Sequence, residues 1–201
     1  MKTRLIAIAS GALLTAAALT GCAAGSSENG SRMDDMPGMD DRASSSGSTT
    51  SEHNQADVTF ARDMVAHHQQ AIEMSDTLLA KQGVDSRVTE LAQKIKAAQQ
   101  PEIDTMNSWL ATWDRKAGMG DMGMSDGMMS RQDMDALTNA SGSDAAKLFL
   151  SQMIQHHQGA VTMATTEIEK GQATDAVALA KKIVAAQTAE IGTMKGLLAS
   201  L

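Results

Sequence analysis

The chain has 201 residues, a length that suits one domain with appendages. A net charge of −7 argues against a nucleic-acid partner, and with aromatics at only 2% any core must be filled by Leu, Ile, Val, Ala and Met. A single Cys excludes a disulfide framework within the chain, whereas Met is over-used at 16 residues.

The N-terminus accounts for that Cys. Lys2 and Arg4 precede an apolar run from Leu5 to Leu19, which has signal-peptide length and is too short for an ordinary membrane span. The run ends in Leu19-Thr20-Gly21-Cys22, which resembles a bacterial lipobox. Residues 1–21 are therefore expected to be a lipoprotein signal peptide. Cys22 is expected to carry the lipid that holds the chain on a membrane, in the extracytoplasmic part of a bacterial cell envelope.

Residues 22–55 read as a flexible tether, because Ser, Gly, Asp and Thr dominate and the apolar content cannot support a core. Met33, Met36 and Met39 recur there at every third position among Asp34, Asp35, Asp40 and Asp41. Thioethers in a polar tether have no packing role, and they suit capture of a soft ion such as Cu(I). Compositional drift is the competing explanation.

A bundle domain is expected over residues 56–201. A first helix is predicted from Asp57 to Lys81, with Asp57 as N-cap and Gly83 as the stop. At about 100° per residue, Phe60, Met64, His67, Ala71, Met74 and Leu78 share one narrow face, with His68 on its flank. A second helix is predicted from Ser86 to Trp113. Glu102 stands at the centre of its apolar face, and Pro101 predicts a kink. Residues 117–130 read as a Gly-broken loop holding Met119, Met122, Met124, Met128 and Met129. They form a second Met-rich segment without a core to fill. A short helix or turn should span Arg131 to Ser141, and long helices should follow from Asp144 to Lys170 and from Thr174 to Ser200. No segment alternates as a strand would.

The long helices are two copies of one hairpin. FARDMVAHHQQAIEM (Phe60 to Met74) and FLSQMIQHHQGAVTM (Phe149 to Met163) agree at seven of fifteen positions, and these include the only two Phe of the chain and four of its five His. AQKIKAAQQPEIDTM (Ala92 to Met106) and AKKIVAAQTAEIGTM (Ala180 to Met194) agree at ten of fifteen. Turns near residues 84 and 172 would bring Met64, His67, His68, Gln99, Glu102 and Met106 together in one hairpin. In the other they would assemble Met153, His156, His157, Gln187, Glu190 and Met194. Two hairpins that each bury one face pack on each other, so an all-α four-helix bundle with an approximate twofold axis is expected.

The middle layer of such a bundle is costly unless its polar groups are paired. One reading is a buried His–Glu network that serves only the fold. The other is one or two metal sites built from Met64, His67, His68, Glu102, Met106, Met153, His156, His157, Glu190 and Met194. Imidazole with thioether suits copper, and imidazole with carboxylate suits iron, manganese or zinc. Met74 and Met163 lie two turns away and read as core. No Ser-His-Asp or Cys-His arrangement is present, so no catalytic residue is assigned.

The double motif Phe-x3-Met-x2-His-His-x2-Ala-x2-Met, followed by Ala-x2-Ile-x3-Gln-x2-Glu-Ile-x2-Met, resembles the bacterial family known as domain of unknown function 305. The resemblance covers about Asp57 to Leu201. It implies a ferritin-like four-helix bundle, secreted or lipid-anchored, in a family often associated with copper handling. The di-iron pattern of ferritin-like sites, Glu-x-x-His on two helices, is replaced here by Met-x-x-His-His. Gly159 also stands where the first copy has Gln70. The functional expectation is an envelope lipoprotein that binds copper for buffering, tolerance or delivery, compatible with a copper-handling partner protein and with homo-oligomerisation. A metalloenzyme using iron or manganese at the same layer, and a metal-free structural or partner-binding module, are the alternatives.

Overall fold

The computed structural model describes residues 52–113 and 127–201. Five helices make up this part: α1 (Gln55–Leu79), α2 (Ser86–Trp113), α3 (Arg131–Asn139), α4 (Gly142–Lys170) and α5 (Thr174–Ala199). The four long helices are the predicted ones, with ends shifted by no more than two residues, and there is no strand among the described residues. The signal peptide, Cys22, the tether with Met33, Met36 and Met39, and the loop residues Met119, Met122 and Met124 lie outside the described residues.

The start of α1 differs from expectation. Asn54, not Asp57, is the N-cap; its side chain accepts from the backbone N–H of Ala56 and Asp57. Asp57 returns the bond by accepting from the Asn54 N–H at 2.6 Å, completing a capping box. The Asp57 carboxylate also accepts from the backbone N–H groups of Gln172 and Ala173, so it fastens the start of α1 to the α4–α5 turn. Its position in the first turn lets one carboxylate serve both tasks, and this fixes it at N3 rather than at the cap.

The chain reverses after α1 through Gly83, whose φ of +72° suits a residue without Cβ. α2 runs unbroken through Pro101, which faces solvent. α3 is a true helix, opened by Ser130 as N-cap and closed into a capping box by Asp133.

The α1–α2 and α4–α5 hairpins pack against each other chiefly through α1 and α4, with α2 and α5 outside and in slight mutual contact. The predicted face of α1 is the buried one: Phe60, Met64, His67, Ala71, Met74 and Leu78 are all inside. Two apolar clusters result. One gathers Met74, Leu78, Ile95, Leu137, Phe149, Met153 and Met194, and the other gathers Phe60, Met64, Ile103, Met106, Ala160 and Ile183. Among the described residues no helix is long and apolar enough to cross a membrane.

Candidate metal centre

The four His of the duplicated motif are fully buried: His67 and His68 on α1, His156 and His157 on α4. Each pair divides its work. The second His of each pair reaches outward to its own hairpin's carboxylate. His68 Nε2 lies 2.8 Å from Glu102 Oε2, and His157 Nε2 lies 2.7 Å from Glu190 Oε2. The first His of each pair points across the seam, and the rings of His67 and His156 meet with centroids 3.6 Å apart.

The carboxylates do not lie inside the layer as the helical wheel placed them. Glu102 and Glu190 keep 23% and 24% of their side-chain surface, so they stand at its edge and hold the imidazoles from outside. The physical reason is desolvation, since an ionised carboxylate that keeps contact with water avoids the cost of complete burial. With Nε2 engaged by a carboxylate, the other ring nitrogen of each is inward. Nδ1 of His68 and Nδ1 of His157 are buried and make no hydrogen bond among the described residues. A carboxylate on one imidazole nitrogen and an unengaged buried nitrogen on the other is the arrangement that orients a metal-ligating His.

The electrostatics favour a neutral ring at His156. Burial, followed by the neighbouring imidazoles of His67, His157 and His68, holds the pKa of His156 well below the ordinary value of 6.5. A neutral imidazole is the form that ligates a metal. Met64 and Met106 are fully buried in one adjoining apolar cluster, and Met153 and Met194 in the other. Each Met stands one helical turn from the His or Glu of its own helix. Gln99 and Gln187, 3% and 4% exposed, bring side-chain oxygens that accept no hydrogen bond among the described residues. Among the described residues no three His, Cys, Asp or Glu side chains converge as a ligand cluster. Imidazole nitrogen and thioether sulfur, the donor types present in and beside the layer, are of the kind that suits a soft ion.

His53, the fifth His, stacks on Trp113 with ring centroids 5.0 Å apart and does not join the layer. Met74 is fully buried and Met163 partly so, as core positions should be. The expectation of loop Met residues without a core fails at Met129, which is 5% exposed and packed in the first apolar cluster. Gln70 fixes it there, donating to the Met129 carbonyl and accepting from the Met129 N–H. Met128 is half-buried.

The replacement of Gln70 by Gly159 in the second copy also has a cause. Gly127 (φ +83°) crosses α4 so closely that a Cβ on it would lie 2.8 Å from the Gly159 Cα and 2.9 Å from the Gln155 carbonyl oxygen. The described end of the Met-rich loop thus rests against the residues flanking His156.

One buried polar pair escaped the sequence reading. Glu167 is 1% exposed and Asp57 fully buried beside it. Burial, then the Asp57 carboxylate, push the Glu167 pKa up to about 8. Burial acts against Asp57 as well, but the Asn54 N–H, the Glu167 carboxyl and the N–H groups of Ala173 and Gln172 outweigh it and lower its pKa. The available signal was Glu167 on the apolar arc of α4, where the first copy carries Leu78.

The comparisons agree with this architecture. Residues 57–198 match the model of DUF305, a domain of unknown function. A DUF305 protein from Streptomyces coelicolor shares 36% identity, with 72% of this chain and 91% of that one covered and a TM-score of 0.65. A DUF305 fragment from Deinococcus radiodurans shares 30% identity over 74% and 98% of the two chains, with a TM-score of 0.67. CopM in its Cu(I)-bound form shares 30% identity over 72% and 96%, with a TM-score of 0.62. CopM structures with Cu(II) and with silver are also similar. No curated protein matches the chain. Matched over most of its length by the family model, the chain belongs to the DUF305 family.

Proposed function

We propose that this protein binds copper outside the cytoplasm, as a buffer or carrier held on a membrane by lipid on Cys22. The observation that carries the reading is the repeated pair of His68–Glu102 and His157–Glu190. Each leaves a buried Nδ1 with no hydrogen bond among the described residues, in the layer where the His67 and His156 rings meet. In this reading the four His and the thioethers of Met64, Met106, Met153 and Met194 supply the ligands. Glu102 and Glu190 orient the imidazoles rather than bind the ion. When bound, copper would supply no chemistry beyond its own storage and exchange.

The similarity to CopM, which has been obtained with Cu(I), Cu(II) and silver, supports a soft-metal site. The ions named for these relatives do not include iron, manganese or zinc, so those alternatives are not taken up. Met33, Met36, Met39, Met119, Met122, Met124 and Met128 would act as accessory Cu(I) donors. Of these only Met128 lies in the described part, half-buried one residue from the crossing at Gly159. Residues 1–21 would serve as the export signal.

The reading is tested by titrating Cu(I) into the protein against a competing chelator, for wild type and for His68→Ala with His157→Ala. Tight, saturable binding that weakens at least tenfold in the variant is expected. Equal affinity in the two proteins would refute the bundle site.

A further inference from the structure

The two ends of the α1–α4 seam are built alike but filled differently. At one end α3 lies across α1 and α4. Leu137 is fully buried there with Met74, Leu78, Ala145 and Phe149. Two side chains also hold the α3 backbone: Gln152 donates to the Asp133 carbonyl and Lys81 to the Thr138 carbonyl, each at 2.8 Å.

The internal duplication carries this groove to the other end, 89 residues away in register. Phe149 corresponds to Phe60, Leu148 to Thr59, Met74 to Met163, Thr77 to Thr166 and Lys81 to Lys170. These residues of the second groove line a cavity of about 310 Å³, and no described element fills it. Among the described residues the difference shows in the Met pair, since Met74 is fully buried whereas Met163 stays partly exposed.

Two substitutions change the chemistry of the open groove. Asp63, whose Oδ1 accepts from Arg62 Nε at 3.0 Å, replaces Gln152, so an acceptor stands where the filled groove has a donor. Glu167 replaces Leu78 at the floor and adds a second carboxyl. These changes discriminate among occupants. The α3 of a second copy would set its Asp133 carbonyl against the Asp63 carboxylate, acceptor against acceptor. The chain's own residues at the α3 register, 42–50, read RASSSGSTT, with Ser45 and Ser48 in place of Met134 and Leu137. They lack the apolar face that fills the first groove. A helix with that face, and with a cation that joins Arg62 at the Asp63 carboxylate, suits the groove on both counts.

We propose that the groove between α1 and α4 at the Asp63–Lys170 end docks a short amphipathic helix of a partner protein. That helix presents Leu or Met inward, a lysine or arginine to Asp63, and last-turn carbonyls to Lys170. The proposal does not depend on the copper reading.

Three fluorescently labelled peptides test it against the full chain by anisotropy. The first has the native sequence of residues 127–140. The second carries Asp133→Lys and Ala136→Lys, which set ammonium groups around the carbonyl that Gln152 recognises. The third adds Met134→Ser and Leu137→Ser to the second. The second peptide is expected to bind saturably, about tenfold tighter than either of the others. In protein carrying Asp63→Gln the first two peptides should exchange rank. Thr166→Trp, which fills the groove from an exposed position, should abolish binding while helical circular dichroism is kept. Absence of saturable binding by any peptide would overturn the proposal. So would equal binding of the second and third, or binding indifferent to both protein substitutions.

Discussion

His67 and His156 meet across the α1–α4 seam with ring centroids 3.6 Å apart and planes inclined by 38°. Each comes from the same place in its copy of the repeat, so the contact lies where the two halves are related to one another. Two imidazolium charges at this separation in a buried layer would repel strongly, and His156 is accordingly held neutral. A neutral imidazole such as His156, buried against a second ring, is a poor source of stability and a good source of a metal ligand.

The first prediction concerns this pair. His67→Ala with His156→Ala should weaken Cu(I) binding roughly tenfold or more, whereas His53→Ala, which removes only the stack on Trp113, should leave it unchanged. Competition titration of the two variants, with circular dichroism to check helicity, makes the comparison. An equal loss in both would remove the layer from the copper site.

The second concerns the carboxylates. Glu102→Gln with Glu190→Gln should keep the helices but loosen the hold on His68 and His157, because an amide is a weaker acceptor than a carboxylate. A loss of about 10- to 100-fold in copper affinity with little change in melting temperature is expected. Affinity unchanged in this variant would show that the imidazoles need no such support.

The loop Met residues should separate into two kinds. Met129→Ala should cost about 2–3 kcal/mol of stability, since Met129 is 5% exposed and packed in the core. Replacing Met119, Met122 and Met124 with Leu should lower Cu(I) capacity and leave the melting temperature nearly unaltered. Thermal melts together with Cu(I) stoichiometry distinguish the two kinds. A large drop in melting temperature for the triple variant would contradict the division.

A fourth prediction follows from Glu167, whose pKa rises from 4.5 to about 8 on folding. Between those values the folded state holds a proton that the unfolded state has lost, so unfolding becomes easier as pH increases. The stabilisation is complete below about pH 4.5 and gone above about pH 8. The change should be of the order of 2 kcal/mol once solvent screening is allowed for. Glu167→Gln keeps a donor toward Asp57 and cannot ionise, so its stability should be flat over the same window. Denaturant melts at pH 5 and pH 8 give the answer; parallel slopes for the two proteins would count against it.

Much of this was legible in the sequence because duplication places the same rare residues twice. Phe60 and Phe149 fixed the register, the apolar arc of α1 was the buried one, and the four motif His fell into one layer. Spacing did not reveal how each His pair divides its work. A helical wheel gives direction but not depth, so Glu102 was set at the centre of a face when it stands at the edge. Met129 was misplaced because a Gly-broken Met-rich run resembles a tether, and its burial and two hydrogen bonds with Gln70 bring the end of that run into the core. Asp57 was read as a cap because Asp favours that place. Its partners Gln172 and Ala173 lie more than a hundred residues away, beyond the reach of local pattern.

X-ray absorption at the copper edge of the Cu(I)-loaded protein tests the central claim most directly, in a chain whose Met33, Met36, Met39, Met119, Met122 and Met124 have been replaced by Leu. The account predicts a mixed shell of imidazole nitrogen and thioether sulfur, lost when the four motif His are replaced by Ala. Failure of the Leu-substituted chain to retain copper, or a shell that contains no imidazole, would contradict it.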